Sequence, residues 1–347
     1  MKYLFYLAKR YSISIVQPLV ELLQAEDRDY AFYVSERVYH RLPAYLKQKP
    51  IFRTLKDAIN YQPDYVIVPG NFVDHRIPGV KVQIFHGLGV EKASHYKIRH
   101  FFDVYLTSGP YVTQRYEQMR PKKPYFEVIE TGWLKIDAIL SAPEQDLRQH
   151  YHIPEGKKVI LYAPTFSSKM ESSSQLIHVI PSIIAEDEFW LFKFHALMPN
   201  ELILPFLSLS PDQALIVQED DITPALHLAD LMISDTSSVV YEFFALDKPV
   251  ITFNAIGNRD KTLNISRADQ LRAAIDRSLQ APDEFATQRH QAMQAVNPYL
   301  NGDIARRTLA ALDSLDPKSF PRKGKPLNLF RKAQVLWHSI TKKGYLR

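Results

Sequence analysis

The stretch Leu231-Met232-Ile233-Ser234-Asp235-Thr236-Ser237-Ser238-Val239-Val240-Tyr241-Glu242-Phe243-Phe244-Ala245-Leu246 reads as a buried strand, a tight hydroxyl-rich turn and the first turns of a helix. A strand that passes directly into a helix aims free backbone N–H groups, and the positive end of the helix dipole, at one spot. Thr236, Ser237 and Ser238 add hydroxyl donors at that spot. Glu242 follows Ser238 by four residues, so the two share a helix face. The spacing suits a phosphate at the helix end and a ribose hydroxyl one turn later. An ordinary N-cap, with Asp235 or Thr236 serving the helix, uses the same residues. The reading carried forward is a chain that handles a nucleotide diphosphate.

Outward from this stretch, short apolar runs alternate with helical segments, which argues for α/β architecture with parallel sheets. In the first half strands are expected over 2–8, 30–34, 64–68, 80–86 and 103–107, with helices over 13–24, where Pro18 introduces a kink, and 110–119. A polar helix and the turn Ile153-Pro154-Glu155-Gly156 mark a domain boundary. The second half restarts with strands over 158–163, 189–195, 214–217, 230–234 and 250–253. Its helices are expected over 174–186, 223–228, 237–246 and 268–279, and a further helix after Asn301-Gly302-Asp303. The 347 residues suit two such domains. The expected organisation is two doubly wound Rossmann-like domains facing across a cleft, 1–150 and 151–316, followed by a basic tail, 317–347. In such sheets ligands bind beyond the carboxyl ends of the strands.

Composition narrows the functional class. The chain has no cysteine, which excludes disulfides and thiolate metal sites and points to a reducing, cytoplasmic setting. No apolar run is long enough to span a bilayer. The N-terminal run Met1–Ala8, cut off by Lys9-Arg10, reads as a first strand and not as a signal segment. Nine of the 43 Lys and Arg lie between Lys318 and Arg347, which holds no acid; the remainder carries 34 basic against 38 acidic residues. The basicity is therefore in the tail, among Leu327, Leu329, Phe330, Val335, Leu336, Trp337 and Ile340. An amphipathic helix there has two readings: docking on an anionic membrane surface, or packing across the domains with a solvated basic face. The body lacks a basic field, which argues against nucleic acid as a partner.

Four further sites carry potential chemistry. Phe85-His86-Gly87 delivers a histidine, the natural general base near neutral pH, to a glycine turn where the backbone can approach a ligand. In Phe192-Lys193-Phe194-His195, strand alternation puts Lys193 and His195 on one face, where they suit a diphosphate. Thr165 opens a polar loop after Ala163-Pro164, and Asp303 stands where a helix cap would. The pairs His95/His100 and His150/His152 read as solvated. No Walker loop, HExxH sequence or GxSxG element is present. No metal site and no resident cofactor is expected, so helix end, hydroxyls and cations must meet the charge of a leaving nucleotide.

The set as a whole resembles the CDP-glycerol glycerophosphotransferase family of teichoic-acid primases and polymerases. The matching pieces are His86-Gly87, Thr131-Gly132 with Lys135-Ile136-Asp137, Ala163-Pro164-Thr165, His195, Ser234–Ser238 with Glu242 and Lys248-Pro249-Val250, and Gly302-Asp303. The resemblance implies a GT-B-like fold with the nucleotide in the second domain, and a transferase that moves glycerol phosphate or a related alditol phosphate from a CDP-linked donor to a hydroxyl of a cell-envelope glycan or lipid-linked precursor. It implies His86 as general base, His195 at the diphosphate, Thr236, Ser237 and Ser238 on the phosphates, Glu242 facing the ribose, and Thr165, Asp235 and Asp303 on the donor side, with Gly87 and Gly132 in the cleft; Lys193, read from strand alternation, is expected on the donor side as well. It also implies work at the cytoplasmic face of the membrane, in agreement with the tail. Leu88-Gly89-Val90-Glu91-Lys92 departs from the family's usual Thr-Pro-Leu-Lys, Thr236 stands for a usual tyrosine and Lys135 for an arginine. A glycosyltransferase of the same fold, a nucleotide-sugar epimerase and a non-catalytic membrane-surface module are the competing readings.

Overall fold

A computed structural model describes residues 1–141 and 146–341. Its thirteen strands form two sheets. In the first half these are β1 (Lys2–Leu7), β2 (Asp29–Val34), β3 (Ile51–Phe52), β4 (Tyr65–Val68), β5 (Val80–Gln83), β6 (Val104–Thr107) and β7 (Glu127–Glu130). In the second they are β8 (Lys158–Tyr162), β9 (Glu188–Phe192), β10 (Ala214–Ile216), β11 (Leu231–Ser234), β12 (Val250–Phe253) and β13 (Leu263–Ile265). The sheet orders are β3-β2-β1-β4-β5-β6-β7 and β10-β9-β8-β11-β12-β13, and every neighbouring pair is parallel. Both are doubly wound orders, as expected.

The central strands are buried along nearly their whole length, because a parallel sheet is covered on both faces. That is why they read as unbroken apolar runs. Trp190, Phe192, Tyr162 and Phe206 fill one core of the second sheet, each such side chain contributing about 1.5–3 kcal/mol by leaving water. In each sheet the chain reverses its direction of winding between two adjacent strands: β1 and β4 in the first, β8 and β11 in the second. At such a switch point the connections diverge and leave a crevice.

Short edge strands escaped the sequence reading: β3, β7 and β13 are two to four residues long and only partly buried. The expected strand over 80–86 ends at Gln83, since Phe85 takes a left-handed φ of 60°. The helix Ser12–Ala25 runs unbroken through Pro18. The expected helix over 174–186 is two short ones, Ser173–Leu176 and Ile180–Ile183, with Pro181 unable to donate a helical bond and Ile184 extended. In the polar region before Ile153, helices cover Lys135–Leu140 and Leu147–His150, and residues 142–145 lie outside the described residues.

The chain forms two compact units: 1–87, 96–138 and 296–347 in one, 88–95 and 139–295 in the other. This differs from the expected partition at the boundary, which follows Ala138 and not residue 150, and in two further segments. The helix Ile304–Asp313, expected in the second domain, belongs with the first sheet, where Asp313 accepts from Tyr3 and pairs with Arg28 at 2.8 Å, and the Leu312 carbonyl accepts from Tyr65. The segment 88–95, expected in the first domain, belongs with the second sheet through buried Leu88 and Val90 and an ion pair from Glu91. The tail 317–341 packs with the first unit through Lys325, which donates to Phe101 O and pairs with Asp103, and Asn328, which donates to Arg99 O.

Candidate functional site

In the second unit the site is built at the carboxyl ends of β8 and β11, the switch point of that sheet. Ser234 Oγ donates to Ala163 O at 2.6 Å, and Ala163 N to Ile233 O, which ties the two strand ends together. Asp235 comes next and is fully buried. Its carboxylate accepts from Thr165 N at 2.9 Å and from both the N–H and the hydroxyl of Ser172 at 3.0 Å. Asp235 thus braces the loop after β8, and Thr165 is held within the protein. Burial pushes the Asp235 carboxyl up to about 7, against the opposing pull of those donors and of Lys92.

Thr236 Oγ1 accepts from Ile256 N at 2.9 Å, which fixes the turn to the loop after β12. Ser237 and Ser238 are half-buried, and their hydroxyls make no hydrogen bond among the described residues. The N–H groups of Ser237, Ser238 and Val239 likewise find no acceptor there. The helix that follows, Val239–Phe244, is shorter than the expected 237–246, with Glu242 buried in its first turn. The turn therefore presents several adjacent unclaimed donors beside a crevice, the arrangement an anion requires.

His195 lies three residues beyond β9, exposed at the surface, with the Phe166 ring stacked on it at 4.1 Å. Leu197 N–H donates to Nδ1, so the neutral ring carries its proton on Nε2. Desolvation, with Lys92 and then Lys193, pushes its pKa down, which favours that neutral Nε2–H donor at neutral pH. Lys193 itself turns its ammonium to the carbonyls of Val217 and Glu219. The sequence reading gave no role to Phe166, Ser172 or Lys92, although Phe166 and Lys92 stood within stretches it singled out.

The remaining sites lie in the first unit. His86 is exposed beyond β5, with the ring of Tyr11, the N-cap residue of the helix Ser12–Ala25, 5.9 Å away. Its neighbour Phe85 is held in its left-handed conformation by its buried ring, packed on Tyr105 and Tyr116, and by its carbonyl, which accepts from buried Trp133 Nε1 at 3.3 Å. A non-glycine residue in that conformation costs of order 1–3 kcal/mol and persists where its surroundings impose it. Gly87 is buried beside it.

Gly132, at φ 94°, is explained by packing: a Cβ there would stand 2.8 Å from the Ile304 side chain. Asp137 Oδ2 accepts from Ala305 N at 2.8 Å and so caps the helix Ile304–Asp313, while Asp303 is exposed and makes no side-chain cap. Asp303 belongs to the first unit. Lys248 closes the helix Thr223–Leu228 by donating to the carbonyls of Leu226, His227 and Ala229. Of the histidines read as solvated, His150 and His152 are exposed, but His100 is partly buried and hydrogen-bonded to Tyr125.

Two doubly wound parallel units, with chemistry at strand carboxyl ends, define the GT-B class of fold. Residues 82–256 match the family model described as CDP-glycerol:poly(glycerophosphate) glycerophosphotransferase, and the chain belongs to that family. It is 33% identical over 183 residues to the teichoic acid glycerol-phosphate primase of Bacillus spizizenii, covering 48% of this chain and 45% of that protein. The chain thus spans less than half the length of that relative. Its fold is similar to that of the wall teichoic acid polymerase TagF, with a TM-score of 0.64 at 15% identity over 90% of this chain and 89% of that one. A putative UDP-N-acetylglucosamine 2-epimerase from Listeria monocytogenes is similar with a TM-score of 0.63 at 17% identity, over 90% of this chain and 96% of that one.

Proposed function

We propose that this chain transfers glycerol phosphate, or a related alditol phosphate, from a CDP-linked donor to a hydroxyl of a cell-envelope glycan or its lipid-linked precursor, releasing CMP. The observation that carries this reading is the cluster of unclaimed N–H and hydroxyl donors at Ser237–Val239, at the switch point of the second sheet of a chain in this family. The donor's phosphates bind there, and the His195 Nε2–H donates to the diphosphate. Glu242 faces the ribose. His86 takes the proton of the acceptor hydroxyl as its oxygen attacks the distal phosphorus; the phosphoanhydride bond breaks and CMP departs with the electron pair. Catalysis of this kind is alignment plus charge stabilisation. The direct test supplies purified protein with CDP-glycerol and a hydroxyl acceptor. CMP release with phosphorus in the product supports the reading. A phosphorus-free product indicates a glycosyltransferase, and no turnover of any nucleotide-linked donor indicates a binding module.

Removing the free hydroxyls isolates the donor site. Ser237→Ala and Ser238→Ala are each expected to weaken CDP-glycerol binding about tenfold, the worth of a hydrogen bond to a charged group. Calorimetry reads this directly, and unchanged affinity in both variants contradicts the phosphate assignment.

The tail supports a location for this activity at the inner face of the cell membrane. In the helix Leu329–Thr341, buried Val335 faces the protein, and Leu329, Phe330, Leu336 and Trp337 form an exposed stripe on the other side. Cations without acids surround it. Lys342, Lys343 and Arg347, part of the same basic run, lie outside the described residues. Among the described residues no helix is long and apolar enough to cross a membrane, and an exposed apolar stripe with surrounding cations suits the surface of an anionic bilayer. The pair Phe330→Ser and Trp337→Ser is expected to weaken binding to phosphatidylglycerol-containing vesicles by roughly tenfold or more in sedimentation. No binding to either neutral or anionic vesicles argues for the alternative, a packing helix.

A further inference from the structure

Lys92 stands in the segment that departs from the family's usual pattern, and within the second unit it is placed by a buried clamp. Leu88 and Val90 are buried, and the bonds Val90 N to Leu88 O and Lys92 N to Gly89 O curl the segment into a tight turn. Glu91 then reaches inward. Its Oε1 accepts from Lys261 Nζ at 2.6 Å and from Tyr241 OH at 2.5 Å, and the Lys261 ammonium lies 4.7 Å from the Tyr241 ring centroid. Lys261 is 5% exposed. Gly257, at φ 90°, makes room for this contact, since a Cβ there would stand 2.7 Å from Glu91 Cγ. Tyr241 is on the helix that follows the Ser237–Ser238 turn. The clamp therefore joins the segment 88–95 to the same helix that carries Glu242.

Glu91 and Lys261 satisfy each other, but Lys92 has no such partner. Its ammonium makes no hydrogen bond or ion pair among the described residues, although it is partly buried. It lies within electrostatic reach of the Asp235 carboxylate and the His195 ring. Desolvation lowers its pKa, and the Asp235 and Glu91 charges oppose that shift. Lys193, the cation expected at the diphosphate from sequence, is turned to backbone carbonyls instead.

We propose that Lys92 is the cation that neutralises the diphosphate of the nucleotide donor, and that Glu91, clamped by Lys261 and Tyr241, is the residue that positions it. The inference rests on the donor reading above and names the charge which that reading requires. A partly desolvated ammonium with no hydrogen bond or ion pair of its own meets a diphosphate at reduced further desolvation cost, and acts as a point charge that needs no fixed fork geometry.

The test is calorimetry with CDP-glycerol and with CMP on the full chain. Lys92→Ala is expected to weaken CDP-glycerol about tenfold or more and CMP less, with a loss that shrinks at high salt and is partly restored in Lys92→Arg. Its melting midpoint stays at the wild-type value, because the ammonium holds no bond in the folded protein. Glu91→Ala is expected to weaken CDP-glycerol similarly, and to add nothing in the Lys92→Ala background, as residues acting through one another are not additive. Wild-type affinity in Lys92→Ala overturns the assignment and leaves the donor reading intact. Additive losses in the double variant overturn the positioning role of Glu91. Failure of the wild-type chain to bind CDP-glycerol overturns the donor reading itself.

Discussion

His86→Ala is expected to lower the rate of alditol phosphate transfer by about 10²–10⁴, the usual cost of removing a general base, while the CDP-linked donor still binds. Three features support this. The imidazole is exposed at the carboxyl end of a central strand, where a substrate hydroxyl can reach it. The residue before it is held in a left-handed conformation by a buried ring and by the Trp133 indole, a backbone arrangement that aims His86 outward. Gly87, which follows it, has no side chain to crowd the imidazole. The measurement is CMP release in the presence of acceptor, paired with donor affinity by calorimetry. A slow variant with wild-type donor affinity supports a role in the chemical step. Near-normal CMP release removes His86 from the mechanism, and lost donor affinity moves it to binding.

Asp235→Asn is expected to destabilise the fold near pH 5.5 by about 2 kcal/mol, since an amide nitrogen must face donors that the carboxyl group accepts. For a unit of this size that lowers the melting midpoint by roughly 4–8 °C. The loop carrying Thr165 and Phe166 loosens with it, so donor affinity falls too. The effect also depends on pH. Burial raises the carboxyl to about 7, so the folded chain holds this proton more tightly than the unfolded chain, whose carboxyl titrates near 4. The stability this contributes is fully present below about pH 4 and is lost as pH rises to about 7. Asn does not titrate. The gap between wild type and variant therefore narrows with rising pH, by at most about 1.4 kcal/mol per unit. Thermal melts at several pH values read it. A gap that stays constant or widens between pH 5 and 7 shows that Asp235 is ionised throughout that range.

Much of the fold was legible in order along the chain. Unbroken apolar runs such as Val159–Tyr162 and Phe189–Phe192 mark strands covered on both faces, and the polar helical stretches between them mark crossovers. The turn at Asp235–Ser238 was legible for the same reason, because its meaning is local: strand, hydroxyls, helix. Elements with weak local signal were not. β3, β7 and β13 form because a longer neighbour offers them an edge. The helix after Asp303 was recognised as a helix, but its apolar face could not say which sheet it would cover.

By itself, the sequence determined the parallel α/β class, the strand–turn–helix with its hydroxyls, the histidine at a strand end and the charge concentrated in the tail, all of which follow from the residue types and their period. Only the tertiary structure decided what those side chains touch. It turned Asp235 inward to hold a loop 63 to 70 residues away, spent Lys193 on carbonyls, made Gly132 a packing contact and brought Lys92 within electrostatic reach of Asp235 and His195. The reason is that a hydrogen bond or a desolvation penalty depends on which strand lies beside which. That order is set by the burial of the whole sheet, not by any neighbour in the chain.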